Sequence, residues 1–411
     1  MTVIAHDYPD DIKTMVAGLD RFIRSEIIPR HEQHAGLLGD ARRKFEPDGR
    51  FTHEYWDLIS EVRRTAAAAG YYTMCVPEEI GGSGMGFLAY LAAWEHIFHT
   101  CGMKYSLAHQ IIGHWSRGPS FILQMVTEEA RRRVLPTIMS GETTVCFAMS
   151  EPESGSDATQ IKTRAVPHGQ GWLLNGAKIW ISSSAHASHA IVFAVTDPEL
   201  QSQRKGGVSA FLVPTDSPGY ALTGLIRMFG LPGTEEGQLT FEDVVIEPWQ
   251  LIGELNQGMR IGMRGVGFGR IFNSARGIGY GRWALEQALE HAKLRKAFGK
   301  TISNYQGVTF PIAEAAMQVH AAHLVARNAA ALLDRGQPAG KELSMSKYLC
   351  VEAGYAAVDT AMQTFGAMGF TDELGLAEAF VALRKARVAD GTREILKRGV
   401  SKLMLAGDID L

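Results

Sequence analysis

A chain of 411 residues with 46% hydrophobic content can bury a large core, and its length suggests two or three domains. A formal charge of −3 and a pI near 6.5 give no global field for gathering nucleic acid or anionic membrane, so neither is expected as a partner. The N-terminus lacks the cationic start and apolar run of a signal peptide, and no segment approaches about 18 consecutive apolar residues, so a cytoplasmic chain without a membrane span is expected.

Up to about Gly141 the pattern is helical. Ile12, Met15, Val16, Leu19, Phe22 and Ile23 recur at steps of three and four, which predicts an amphipathic helix over Asp11 to Ile28. Glu54 to Ala69 and Leu88 to Thr100 repeat the signal, and the proline and glycines of Val76 to Gly84 mark a loop between them. From Glu142 to about Glu254 short β-rich runs take over. Thr143 to Met149, Gly171 to Leu174, Ala177 to Ser182, Ala190 to Val195, Val208 to Pro214 and Gln238 to Val245 are strand candidates, with Asn175-Gly176 read as a hairpin turn. So many strands in a short stretch predict a sandwich or barrel. After Gly258 long alanine-rich helices return, over Ala275 to Ala297, Val308 to Asp334, Gly340 to Phe365 and Thr392 to Leu405.

The cysteines, Cys75, Cys101, Cys146 and Cys350, are widely spaced and read as reduced thiols without metal-ligand spacing. His96 and His99 form an H-x-x-H pair with no glutamate or third ligand in support, so no metal site is expected. The Arg131–Arg133 run reads as a solvated face.

Phe147-Ala-Met-Ser-Glu-Pro-Glu-Ser-Gly-Ser-Asp157 is the most informative stretch, followed by Trp172-Leu-Leu-Asn-Gly-Ala-Lys-Ile-Trp-Ile-Ser182. Small hydroxyl and glycine residues that let backbone N–H groups approach an anion precede a tryptophan-bearing β segment, which suits a flat, phosphate-bearing cofactor. Taken alone, Ser150, Gly155, Ser156 and Asp157 are also ordinary turn formers, and Trp180 an ordinary core aromatic.

These motifs in this order, over essentially the whole chain, resemble the FAD-dependent acyl-CoA dehydrogenase family. The resemblance implies a mainly α fold with a central β domain: an N-terminal helical domain over 1–141, a middle β-sandwich or barrel domain over 142–254 and a C-terminal four-helix bundle over 255–411. It also implies that Phe147, Met149, Ser150, Gly155, Ser156, Trp180 and Ser182 hold FAD, with the Ser182 hydroxyl directed at flavin N5 and Trp180 covering the ring. Arg295, Phe298 and Gln306 resemble the segment reaching a partner's FAD, and Gln363 and Gly366 the segment meeting its adenylate end, with Ala367 in place of a family glycine. Each FAD is then shared by two chains, so a homo-oligomer, a dimer or tetramer, is implied, with an electron-transfer flavoprotein as acceptor and a place in fatty acid metabolism.

The chemistry turns on Arg387-Val-Ala-Asp-Gly-Thr392. Typical members carry a glutamate before Gly-Thr, which removes the α-proton of an acyl-CoA thioester while hydride leaves the β-carbon. Here the aligned residue is Asp390, one methylene shorter, beside Gly391 and Thr392. An aspartate needs substrate or backbone to move closer by about 1.5 Å, because proton transfer is sensitive to reach. Asp390 before a helical run also reads as an N-cap. In branches that place the base just before an arginine of the long helix, the matching pair here is Gly269 and Arg270, which leaves no carboxylate there. Arg270, Ser156 and Gly391 are the residues the resemblance places around the substrate, and Gly267 stands where many members have an aspartate on the pantetheine. Nitroalkane oxidases share the fold and use an aspartate base supported by an arginine seven residues on, where this chain has Lys397 and then Arg398. A related flavin monooxygenase, or a scaffold that holds FAD without turning over, is the third reading.

Overall fold

The protein is described from a computed structural model over residues 7–231, 233 and 235–410. It falls into two compact units, one formed by the chain up to His34, Gly86–His109 and Arg270 onward, the other by Ala35–Met85 and Gln110–Gly269. The longer helices are α1 (Asp10–Phe22), α2 (His53–Ala68), α3 (Phe87–Cys101), α4 (Gly258–Leu294), α5 (Gln306–Asp334), α6 (Gly340–Phe365), α7 (Leu376–Ala386) and α8 (Arg393–Leu405). Among the described residues no helix is long and apolar enough to cross a membrane.

In the helical unit two helix starts, those of α3 and α8, are capped by side chains. Asp10 and Asp11 in the first turn of α1 suit the positive end of its dipole. The first amides of α3, Phe87 N and Leu88 N, donate to the carboxylate of Asp334 at the end of α5, at 2.6 and 2.9 Å, a cap supplied from a distant part of the chain. The backbones of α4 and α6 touch. A Cβ built on Gly277 would lie 2.1 Å from the Cys350 carbonyl oxygen, and one on Gly354 would lie 2.2 Å from the Gly277 oxygen, so only glycine permits this crossing. α7 has no counterpart in the sequence reading.

The other unit holds an eight-stranded sheet: β1 (Val145–Ala148), β2 (Arg164–His168), β3 (Gly171–Ser182), β4 (His189–Val195), β5 (Val208–Pro214), β6 (Tyr220–Leu225), β7 (Glu236–Ile246) and β8 (Leu251–Ile252). Their order is β6-β7-β3-β2-β4-β5-β8, with β1 paired in parallel to β4. β4 is apolar on both faces: Ile191, Phe193 and Val195 pack with Phe121, Ile122 and Ile138, whereas Ala190, Val192 and Ala194 pack with Leu174, Leu239 and Phe241. β2, β6 and β8 escaped the sequence reading because they carry a proline, a glycine with exposed alternation, and only two residues.

The expected hairpin at Asn175-Gly176 is not formed. Both residues lie inside β3, where Gly176 has φ 149° and the pairing with β7 slips between Leu174 and Gly176. This is a bulge rather than a turn. The Asn175 side chain bonds Asp243 Oδ1 and the Asp243 amide, both at 2.9 Å, and a Cβ on Gly176 would sit 2.5 Å from Thr163 Oγ1. Close approach, not chain reversal, selects this glycine.

Candidate active site

In the sheet unit the structure brings the Phe147–Ser156 residues to one end of β1 and fastens them to β3. The Ile179 amide donates to the Ser150 carbonyl at 3.0 Å, and paired backbone bonds between Glu151 and Ser154 close the loop that presents Gly155 and Ser156 to solvent. Lys178, fully buried on β3, donates to the Met149 carbonyl at 3.0 Å and to Glu151 Oε1 at 2.8 Å. Burial lowers the Lys178 ammonium to about 8, against the pull of Glu151. Glu151 also takes the Thr163 amide at 3.0 Å, so the buried pair has hydrogen bonds beyond the one between its members, as such a pair needs.

Trp180 is not a core aromatic. It sits at φ 63° where the pairing of β3 with β7 is again irregular, between Lys178 and Ile181, and it is 53% exposed. A left-handed tryptophan in a strand is strained, and the irregularity turns its ring out of the pleat. Ser182 is half-buried, and its hydroxyl donates to Glu236 Oε1 at 3.3 Å.

Two further observations bear on whether these residues fit a flavin. Trp115 is buried against Phe147, with ring centroids 4.9 Å apart, and its indole N–H has no hydrogen-bond partner among the described residues. An orphaned buried donor costs about 1–3 kcal/mol unless a ligand accepts from it. A Cβ built on Gly155 meets nothing within 4 Å, so the space above that loop is open. An exposed strained tryptophan, an unpaired buried donor and an open small-residue loop together fit a flat cofactor with polar edges. Trp115 was missed in the sequence, where it stands in an irregular stretch without periodicity.

In the helical unit the loop between α7 and α8 carries Asp390. The N-cap of α8 is Thr392, whose hydroxyl accepts from the Ile395 amide at 3.3 Å, so the capping role read for Asp390 belongs two residues later. Asp390 is half-buried at φ 53°, followed by Gly391 at φ 102°. Asn273 Nδ2 donates to its Oδ2 at 2.8 Å, and Arg270 Nε to its carbonyl at 3.3 Å. Arg270 also donates to Ser344 Oγ at 3.2 Å. Burial pushes the Asp390 carboxyl above its ordinary value, more than Lys347, Arg276, Arg270 and the Asn273 bond pull it down.

Lys347 and Asn273 were not singled out in the sequence. Lys347 is a cation beside the buried residues Leu343, Ser346, Cys350 and Gly354 of α6, and that break in the pattern is the signal that could have found it.

The remaining candidates lie at the surface of the helical unit. Phe298 and Gly299, at φ 51° and 86°, form the tip of a two-residue hairpin between Lys296–Ala297 and Lys300–Thr301. Phe298 is 95% exposed, and Arg295, Gln306, Gln363 and Gly366 are exposed as well. His96 and His99 turn to different carboxylates, Asp20 at 3.3 Å and Glu286 at 2.7 Å.

Three family models match the chain: the acyl-CoA dehydrogenase N-terminal domain over residues 9–142, middle domain over 146–244 and C-terminal domain over 256–405. The chain is 35% identical to the human mitochondrial short-chain specific acyl-CoA dehydrogenase over 83% of its own length and 80% of that protein. It is 31% identical to an acyl-CoA dehydrogenase of Bacillus subtilis over 89% of its length and 95% of that protein. Among solved structures, the FAD complex of PigA superposes with a TM-score of 0.81 at 25% identity, covering 98% of this chain and 99% of that one. The chain therefore belongs to the acyl-CoA dehydrogenase family across all three of its domains and is an oxidoreductase of that class.

Proposed function

We propose that Asp390 is the base that removes the α-proton of the acyl-CoA thioester in the dehydrogenation this chain catalyses. The observation that carries the reading is a carboxylate held by Asn273 on a loop at positive φ, with its pKa raised by burial. A raised pKa makes a carboxylate a competent proton acceptor near neutrality. FAD is the cofactor and, when bound, accepts the hydride that leaves the β-carbon.

Asp390 takes the α-proton on its carboxylate. Its backbone N–H is the donor we assign to the thioester carbonyl, where negative charge develops. Arg270 holds the Asp390 carbonyl, which supports its reading as a residue beside the substrate, where Gly391 and Ser156 are assigned as well. Phe147, Met149, Ser150, Gly155, Ser156, Trp180, Ser182 and Thr392 would hold FAD. Arg295, Phe298, Gln306, Gln363 and Gly366 would meet the FAD of a second chain, a reading supported by their exposure and by the 95% exposed Phe298 ring, so the working unit is a dimer or tetramer. An electron-transfer flavoprotein then receives the electrons. We assign the domains as 1–141, 142–254 and 255–411, a reading supported by family matches over 9–142, 146–244 and 256–405. The reduced, buried Cys101, Cys146 and Cys350 support a cytoplasmic compartment.

The aspartate in place of glutamate also motivates a second reading, a nitroalkane-oxidase-like carbon-acid oxidase. The cation seven residues after Asp390, Lys397, lies over the Tyr348 ring at 5.0 Å, which weakens that reading. Anaerobic addition of straight, branched and cyclic acyl-CoA thioesters separates the two. Bleaching of the flavin band by one class supports dehydrogenation; an intact band with every thioester, together with hydrogen peroxide from nitroethane in air, would replace it.

A further inference from the structure

We propose that Lys347 is a positioning residue for this reaction: its ammonium, from the buried face of α6, grips the backbone on both sides of Asp390 and fixes the loop from which the base acts. The proposal rests on the reading of Asp390 as the base.

Lys347 Nζ donates to the Ala389 carbonyl and, at 2.5 Å, to the Gly391 carbonyl, while Arg270 Nε donates to the Asp390 carbonyl between them. Three successive carbonyls are thus held by two cations. The loop needs such a grip, because φ 53° at Asp390 is a left-handed conformation disfavoured for a residue with a β-carbon, and such conformations persist only where their surroundings impose them. Lys347 is 1% exposed, and burying an ammonium is itself costly unless its donors are used. Burial has brought it to about 8, with Asp390 raising it less than burial lowers it.

The crossing of α4 and α6 at Gly277 and Gly354 sets this up, since it puts Lys347 of α6 and Arg270 and Asn273 of α4 on one loop. The charged groups facing Asp390 are Lys347 from α6 and Arg270 and Arg276 from α4. Arg387 and Arg393, on either side of the loop, are paired with Glu352. Losing the Lys347 charge therefore removes one of three cations that favour the ionised base, and losing its donors frees the loop. Proton transfer at a shortened side chain is sensitive to displacement on the order of 1 Å.

The test compares FAD-loaded wild type with Lys347→Met, which removes donors and charge, and Lys347→Gln, which keeps an N–H donor without the charge. For Lys347→Met we expect at least a 100-fold slower anaerobic flavin reduction by an acyl-CoA thioester and an acid limb of the pH profile moved upward. Affinity for an unreactive alkyl-CoA thioether should stay within threefold. In the resting protein, amide hydrogen exchange over residues 387–394 should accelerate tenfold or more. Lys347→Gln should recover at least tenfold of the lost rate while keeping the displaced acid limb. Reduction within threefold of wild type, with limb and exchange unchanged, overturns the proposal. If Lys347→Met does not fold, a wild-type rate and acid limb in Lys347→Gln overturn it equally. Asp390→Asn is measured alongside: undiminished reduction there removes the base reading and the Lys347 role with it, whereas a dead Asp390→Asn beside wild-type Lys347 variants removes the Lys347 role alone.

Discussion

Asn273 on α4 donates its side-chain amide to the carboxylate of Asp390 at 2.8 Å, across 117 residues of chain. Arg276 Nη1 lies 3.4 Å from the Asn273 Oδ1, which orients the amide with its N–H toward the carboxylate. The bond favours the ionised form of a group that burial drives the other way. Flavin reduction should therefore rise with pH as Asp390 ionises, with its limb above the ordinary carboxylate range. In Asn273→Leu the limb should move further up, with reduction about tenfold slower on its acid side, since a hydrogen bond to a charged group is worth on the order of 1.5 kcal/mol. A pH profile of the reduction rate in both proteins checks this; coincident limbs contradict it.

Trp180 is strained at φ 63° and half in solvent, so its backbone carries a cost while much of its ring stays unburied in the protein alone. Trp180→Gly should leave apoprotein stability unchanged or higher by about 1 kcal/mol, because glycine adopts this backbone freely. FAD retention should fall at least tenfold. Urea midpoints of the apoproteins and a flavin titration give both numbers; a strongly destabilised apoprotein would make Trp180 a structural residue.

Gly277→Ala should destabilise the protein by about 1–3 kcal/mol, the usual cost of overpacking, because the new carbon lands on the Cys350 carbonyl. Forcing α4 from α6 also separates Arg270 and Asn273 from Lys347, so turnover should drop more than the loss of folded protein explains. Denaturant midpoints with flavin-normalised activity measure the two effects.

Glu95 on α3 is buried and paired with Arg282 at 2.6 Å and His323 at 3.1 Å. Burial raises its carboxyl, but the His323 and Arg282 contacts outweigh burial and take it from 4.5 to about 2. A depressed carboxyl stabilises the fold fully above its unfolded pKa, and that stability drains away as the pH falls from 4.5 toward 2. The contribution is at most on the order of 3 kcal/mol. Glu95→Gln should lower stability at neutral pH and flatten its decline in acid, measured as urea midpoints between those limits. An unchanged slope would contradict it.

How far the sequence could be read follows from which interactions are local. The helices α5, α6 and α8 and the strands β4, β5 and β7 were legible, because their apolar periodicity or continuous apolar runs come from the residues themselves. Asn175-Gly176 misled because a glycine that serves a bulge and one that serves a turn look alike until Thr163 is seen against it. Asp390 was found by its resemblance to a family motif. The motif says nothing of its neighbours Asn273 and Lys347: a buried lysine in an apolar stripe marks Lys347 as unusual, but what either residue meets is set only by the α4–α6 crossing.

The central claim is that Asp390 removes the α-proton, and anaerobic rapid mixing of wild type and Asp390→Asn with the thioester that bleaches the wild-type flavin tests it most directly. Loss of a positioned base should slow flavin reduction by about 10²- to 10⁴-fold while FAD content and thioether affinity are kept. Reduction of the Asp390→Asn flavin at the wild-type rate would contradict the account.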